Sequence, residues 1–138
     1  MLHQAFFVAI ITTAGVISSG LVSSSKAYAQ AAPVQSDEIM KYARAVLEME
    51  PARQEAFNEI KKIMGPVPPI VCSDQNSLNN LPGKVKDIAG NYCKNSQQIV
   101  EKNGLSNNRF NEITLQLQND GGLQQKIQGT LMRLQKNP

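Results

Sequence analysis

The sequence predicts an all-α protein: a small bundle of about five helices with one long loop tied by a disulfide. Two observations support this prediction. Apolar residues recur at three- and four-residue steps through most of the chain, and no segment alternates polar and apolar residues over the length of a strand. With 138 residues, the chain has the size of one domain. We therefore expect a single helical domain over residues 36–138, preceded by a mobile tail over residues 30–35.

The first helical pattern is predicted to begin near Ser36, a good N-cap residue. It is then interrupted by Pro51. Either a second helix starts at Pro51 or one long helix bends there, and both fit the properties of proline. The pattern ends at Gly65-Pro66. The apolar positions predicted to face the core are Ile39, Tyr42, Ala43, Val46 and Met49 before the proline, and Ala56, Phe57, Ile60, Ile63 and Met64 after it.

A proline-rich and polar stretch over residues 65–82 predicts the long loop, with Cys72 near its middle. Cys93 lies on the apolar stripe of the next helix, which is predicted to end at Asn103-Gly104. In an exported chain, an even number of cysteines favours a disulfide. A bond between Cys72 and Cys93 would tie the loop to the buried side of that helix.

Two shorter helices complete the prediction. Ser106 can cap the first of them and Asp120 the second, because both residue types accept backbone hydrogen bonds at helix starts. The residues predicted to face inward are Phe110, Ile113 and Leu117 in the first, and Leu123, Ile127, Leu131 and Leu134 in the second.

Residues 1–29 have the composition of a signal peptide. Residues 4–25 carry no charged side chain, and Ala27-Tyr28-Ala29 is a small-x-small site of the kind that signal peptidase cuts. We expect cleavage between Ala29 and Gln30, and a periplasmic or extracellular location. The alternative is an uncleaved N-terminal helix that anchors the protein, because an uncharged run of this length could span a bilayer.

Each candidate catalytic or metal-binding pattern in the sequence lacks a residue that its chemistry requires. The predicted mature chain has no His, so a cysteine nucleophile would lack a base. Glu55 and Glu59 fit a solvated ion-pair face better than an acid–base pair. Residues 74–77 resemble the start of a calcium loop, but Asn79 and Val85 stand where that loop needs Gly and Glu. We expect no catalytic residue, no metal and no cofactor, and therefore no enzyme.

The net charge of +3 includes Lys26 of the predicted leader, and what remains is too small to indicate a nucleic-acid partner. Lys84, Lys86 and Lys94 form a modest basic stretch. This stretch favours at most a weak contact with an anionic membrane surface.

Several stretches together resemble a known family. They are YARAVLEME at residues 42–50, RQEAFNEI at 53–60, GLS at 104–106, RFNEI at 109–113 and QND at 118–120. Together they resemble the domain of unknown function family 4168, small exported bacterial proteins common in cyanobacteria. The resemblance implies an exported helical protein and assigns no catalytic or binding residue. Gly121 stands where the family resemblance leads us to expect a proline.

Three functions remain compatible with these sequence features. The first is a non-enzymatic envelope module that binds a protein or peptide, and it predicts an exposed apolar groove or patch. The second is a carrier of a small apolar ligand, with a cavity lined by Phe57, Tyr92 and Phe110. The third, a hydrolase that uses carboxylates alone, has the least support, because it would need two buried acids.

Overall fold

The computed structural model describes residues 31–138, so the predicted cleavage point between Ala29 and Gln30 lies outside the described residues. Over that range the protein is all-α, as predicted, and no strand occurs. The five helices are α1 (Ser36–Met64), α2 (Gln75–Asn79), α3 (Gly83–Lys102), α4 (Asn107–Leu117) and α5 (Gly121–Lys136).

The first helix runs without a break through Pro51, which decides between the two alternatives that the sequence left open. Proline has no amide hydrogen, so it cannot donate to the carbonyl of Leu47 one turn earlier. Pro51 is exposed, where water can solvate that carbonyl. The described structure also has five helices, but they are divided differently from the prediction. Helix α1 contains the first two predicted helices, and the short α2 lies within the predicted loop.

Gln35 caps α1, so the prediction of Ser36 as the N-cap is wrong by one residue. The reason is Glu38. Its carboxylate accepts the backbone N–H of Gln35 at 2.9 Å, the contact that a capping box makes. The helix therefore starts at Ser36.

Helix α1 is the common partner of α3 and α5. Its first half joins the C-terminal part of α3 in the larger core, and its last turns join the start of α3 in a smaller core, so α1 and α3 run antiparallel. The larger core contains Ile39, Tyr42, Ala45, Met49, Ile99, Val100, Leu105, Ile113, Leu123 and Ile127, and the smaller one Ile60, Val85 and Ala89. In contrast to the prediction, Ile63 and Met64 do not reach the core and stay exposed.

The Cys72–Cys93 disulfide is present, with Cα atoms 5.3 Å apart. Cys93 is buried on α3, so the bond ties the loop to the core side of that helix as predicted. Apolar loop residues cover the smaller core from this side: Val67, Ile70, Leu78 and Leu81. The loop is therefore part of the packed structure.

The caps of the last two helices are confirmed. The side chain of Ser106 accepts the N–H of Arg109 at 3.1 Å, and that of Asp120 accepts the N–H of Leu123 at 3.0 Å. Between α3 and α4 the chain turns at Gly104, whose φ of +84° is in the left-handed region. A side chain there would be strained by this backbone conformation, so glycine suits this turn.

Candidate functional site

Arg109, on the first turn of α4, contacts two carboxylates and two backbone carbonyls. Its guanidinium donates to both carboxylate oxygens of Glu38 at 2.7 and 2.9 Å, and to Glu112 at 2.9 Å. Arg109 and Glu38 are only 16% and 19% exposed. The hydrogen bonds from Arg109 and from the backbone of Gln35 lower the pKa of Glu38 from 4.5 to about 2. This pair joins the start of α1 to α4.

The segment before α1, residues 31–35, lies against α4. The mobility expected from the sequence for residues 30–35 stays a prediction. Arg109 donates to the carbonyls of Ala32 and Pro33 at 3.2 and 3.3 Å. Gln116 donates to the carbonyl of Ala32 at 3.3 Å, and Val34 packs against the larger core. The segment forms no helix or strand that would bind its backbone carbonyls. The side chains of Arg109 and Gln116 donate hydrogen bonds to these carbonyls instead.

A shallow, open groove of about 400 Å³ lies beside α4 next to Ala31, the first residue of the described structure. Leu115 gives it an apolar surface and is 37% exposed. The remaining lining is polar apart from one alanine, and the full lining is Ala31, Glu112, Leu115, Gln116, Asn119 and Asp120. The groove thus offers one apolar contact, two side-chain amides and two carboxylates to an occupant.

The three aromatic residues predicted to line one cavity are found at two places. Phe57 and Tyr92 both line a cavity of about 30 Å³ between α1, α3 and the loop. Phe110 lies elsewhere: its ring stacks on that of Tyr42 with centres 4.5 Å apart, and it packs on the larger core. A volume of 30 Å³ holds about one water molecule.

Carboxylates and possible metal ligands are dispersed over the described part of the chain. Over residues 31–138 no group of three or more His, Cys, Asp or Glu side chains could hold a metal ion. Glu55 and Glu59 are both exposed on α1. Among the same residues, no helix is long and apolar enough to cross a membrane.

The fold and the groove define a small, disulfide-braced helical bundle with an extended segment bound along one helix. The chain belongs to the family described as a domain of unknown function (DUF4168), whose model matches residues 35–127. That match confirms the family resemblance and includes all of α1 to α4. No curated protein and no solved structure matches the chain.

Sequence reasoning missed the contact between Glu38 and Arg109, which are 71 residues apart. Glu38 lies in the first turn of α1, where the positive end of the helix favours a carboxylate without any distant partner. One signal was available: Arg109 opens the RFNEI stretch that carried the family resemblance. The groove gave no such signal, because its lining comes from two separate segments.

Proposed function

We propose that this protein is an exported, non-enzymatic helical module of the cell envelope that binds an extended peptide of a partner protein in the groove beside α4. One observation carries the proposal. The surface of α4 already binds an extended chain, because Arg109 and Gln116 hold the carbonyls of Ala32 and Pro33. Ala31, the residue before Ala32, lines the groove together with Gln116.

The lining of the groove suits a basic, extended peptide. The amides of Gln116 and Asn119 can donate to peptide carbonyls and accept from peptide N–H groups. Leu115 offers contact to an apolar side chain. Glu112 and Asp120 are each engaged within the protein, but a carboxylate has four lone-pair sites and keeps capacity for a Lys or Arg of the partner.

The disulfide supports a location outside the reducing cytoplasm, because disulfides persist in oxidising compartments. Together with the leader expected over residues 1–29, it favours the periplasm or the extracellular medium. The bond also holds the loop in place when a partner binds elsewhere on the module.

The alternative of a small-ligand carrier has less support. Ligand pockets usually enclose roughly 300–1,000 Å³. The cavity at Phe57 and Tyr92 measures about 30 Å³, and Phe110 does not contribute to it. A carboxylate-only hydrolase would need acids with raised pKa values, whereas the pKa of Glu38 is lowered by its pairing with Arg109.

Selection from a displayed library of random peptides tests the proposal, with the oxidised protein as the immobilised target. We expect enriched peptides to contain Lys or Arg next to an apolar residue. In a nitrogen–proton NMR titration, the peptide should shift the amide signals of residues 112–120. Leu115→Asn should weaken binding about tenfold, since it removes the one large apolar contact of the groove.

Met132→Gln is the matched control, because Met132 is an exposed apolar residue of α5 outside the groove lining. Both variants should unfold at the temperature of the unchanged protein within a few degrees. A library that yields no enriched peptide would contradict the proposal, as would a peptide that binds Leu115→Asn with undiminished affinity. Signal shifts confined to residues 31–35 would show that the peptide displaces the N-terminal segment instead.

A further inference from the structure

The last turn of α1 and the first turn of α3 meet at one end of the molecule. Ile60 of α1 packs in the smaller core with Val85 and Ala89 of α3. Lys61 and Lys62 follow Ile60 in the sequence, and Lys84 and Lys86 flank Val85. All four lysines are exposed.

Two large apolar side chains are exposed at the same end. Ile63 is 45% exposed and Met64 is 37% exposed, and both follow directly after the lysine pair of α1. Pro66 and Pro69, in the loop that follows, are also exposed. We call the four lysines together with Ile63 and Met64 the basic end.

The charges at the basic end are available to a partner. Within residues 31–138 the structure records no ion pair for any of the four lysines, whereas Lys41, Lys102 and Arg109 are paired. The acidic residues within two positions of these lysines in the sequence are Glu59 and Asp87, two against four lysines. These acids are single residues in the sequence, whereas Lys61 and Lys62 directly precede the exposed Ile63 and Met64.

We propose that the basic end docks on an anionic lipid surface. Lysines next to exposed apolar side chains can make two kinds of contact with such a surface. The ammonium groups contact anionic headgroups, and the apolar groups enter the interface between them. The long stems of the lysines allow the cations to remain at headgroup level while Ile63 and Met64 go deeper. The Cys72–Cys93 bond and the prolines hold the adjoining loop, so little of it must be ordered on docking.

This docking leaves the groove beside α4 free. The groove adjoins residues that precede α1, and the basic end lies where α1 stops. A helix of 29 residues is about 43 Å long at 1.5 Å per residue. The membrane contact and the peptide groove are therefore at opposite ends of α1, and each can be tested without the other.

Vesicle sedimentation tests the docking, with the protein in the form that an expressing host exports and with its disulfide oxidised. We expect partition onto vesicles of phosphatidylglycerol mixed with phosphatidylcholine, and little onto phosphatidylcholine alone. Lys61→Gln with Lys62→Gln should lower the partition about twenty-fivefold, as should Lys84→Gln with Lys86→Gln, because each lysine near an anionic surface contributes about fivefold. Ile63→Asn with Met64→Gln should lower it about tenfold.

Matched controls come from α5. Lys126→Gln with Lys136→Gln removes two exposed lysines elsewhere, and Met132→Gln removes an exposed apolar side chain. Both should stay within about twofold of the unchanged protein. Leu115→Asn should not alter the partition. The proposal for the basic end can therefore be supported or rejected independently of the proposal for the groove.

Three outcomes would overturn the proposal. The first is equal partition onto anionic and neutral vesicles. The second is a loss caused by the α5 lysine variant as large as that caused by the variants of the basic end. The third is no partition onto either vesicle type together with binding to a glutamate-rich peptide, which would assign the basic end to an acidic protein partner.

Discussion

Two hydroxyl groups form a short chain inside the larger core. Thr114 donates to the carbonyl of Phe110 at 2.9 Å, and its oxygen lies 2.9 Å from that of Tyr42. Since Thr114 has one hydroxyl hydrogen, Tyr42 must be the donor between the two. The Tyr42 ring also stacks on that of Phe110. Burial of the phenol raises the pKa of Tyr42, so the hydroxyl stays protonated and able to donate.

We predict that the two ends of this chain contribute unequally to stability. Tyr42→Phe should lower the free energy of unfolding by about 1 kcal/mol, because the hydroxyl of Thr114 keeps its bond to the carbonyl of Phe110. Thr114→Val should cost about 2–3 kcal/mol, because the buried hydroxyl of Tyr42 then has no acceptor. Urea unfolding of both variants measures the difference. Equal losses, or a larger loss for Tyr42→Phe, would contradict the donor assignment.

The pair of Glu38 and Arg109 makes stability depend on pH in the acid range. The pKa of Glu38 is about 2 in the folded protein, below its ordinary 4.5. A lowered pKa stabilises the fold above the ordinary value, and this stabilisation is lost as the pH falls from about 4.5 toward 2. Glu38→Gln should therefore cost about 1–2 kcal/mol at pH 7 and almost nothing near the folded pKa.

Urea unfolding at neutral and acid pH measures this convergence. Glu55→Gln is the matched control, because Glu55 is an exposed carboxylate on the same helix. Its effect should be small at both values of pH. A cost for Glu38→Gln that stays the same down to pH 2 would show that the charge of Glu38 is not the source of the stabilisation.

At the scale of elements, the long loop is the part whose order depends most on one bond. The disulfide closes a loop with a sequence separation of 21 residues. Most loop residues between Gly65 and Asp74 lack regular secondary structure, so the packing of their apolar side chains and this bond hold them. Because Cys93 lies in the middle of α3 on its buried side, the bond joins the loop that covers the smaller core to that helix.

We predict that replacing both cysteines, Cys72→Ser with Cys93→Ala, lowers the free energy of unfolding by about 3 kcal/mol. Hydrogen exchange should show where stability is lost. The amides near Val85 and Ala89 should exchange faster, while those near Ile127 in α5 keep their protection, since α5 belongs to the other core. Uniform acceleration in both helices would show that the bond stabilises the whole fold instead.

At the scale of the whole molecule, α1 carries a different surface at each end. Its first residues and α4 surround the extended N-terminal segment and the groove. Its last turn supplies half of the basic end. Together the two proposals describe a module that rests on a lipid surface by one end and presents a peptide site at the other.

The mass of the intact protein, recorded without reduction from the host's envelope and medium, tests the export on which the proposed function depends. We predict the mass of residues 30–138, less about 2 Da for the two thiol hydrogens lost in the disulfide. Treatment with a reductant should restore those 2 Da, which serves as the internal control. An uncleaved mass found only in membranes would instead support the anchored alternative.

Local chemistry in the sequence predicted most of the fold. Gly65, Ser106 and Asp120 mark helix ends through their own backbone preferences, and the apolar steps of α3 showed which face is buried. The cysteine pairing followed because only one pairing is possible within a chain of two cysteines. These features depend on neighbours in the chain or on simple counting, so no tertiary information was required.

Other features were decided only by the tertiary structure. Ser36 lost the capping position to Gln35 because Glu38 reaches back to it, and residues 31–35 are held because Arg109 approaches from α4. Phe57 lines the small cavity whereas Phe110 packs on the larger core, although similar local patterns contain both. The sequence by itself determined the helical class, the disulfide and the helix ends marked by Gly65, Ser106 and Asp120, which depend on local preference and composition. The groove and the basic end required the tertiary structure, because the packing of α1 sets which distant side chains share a surface.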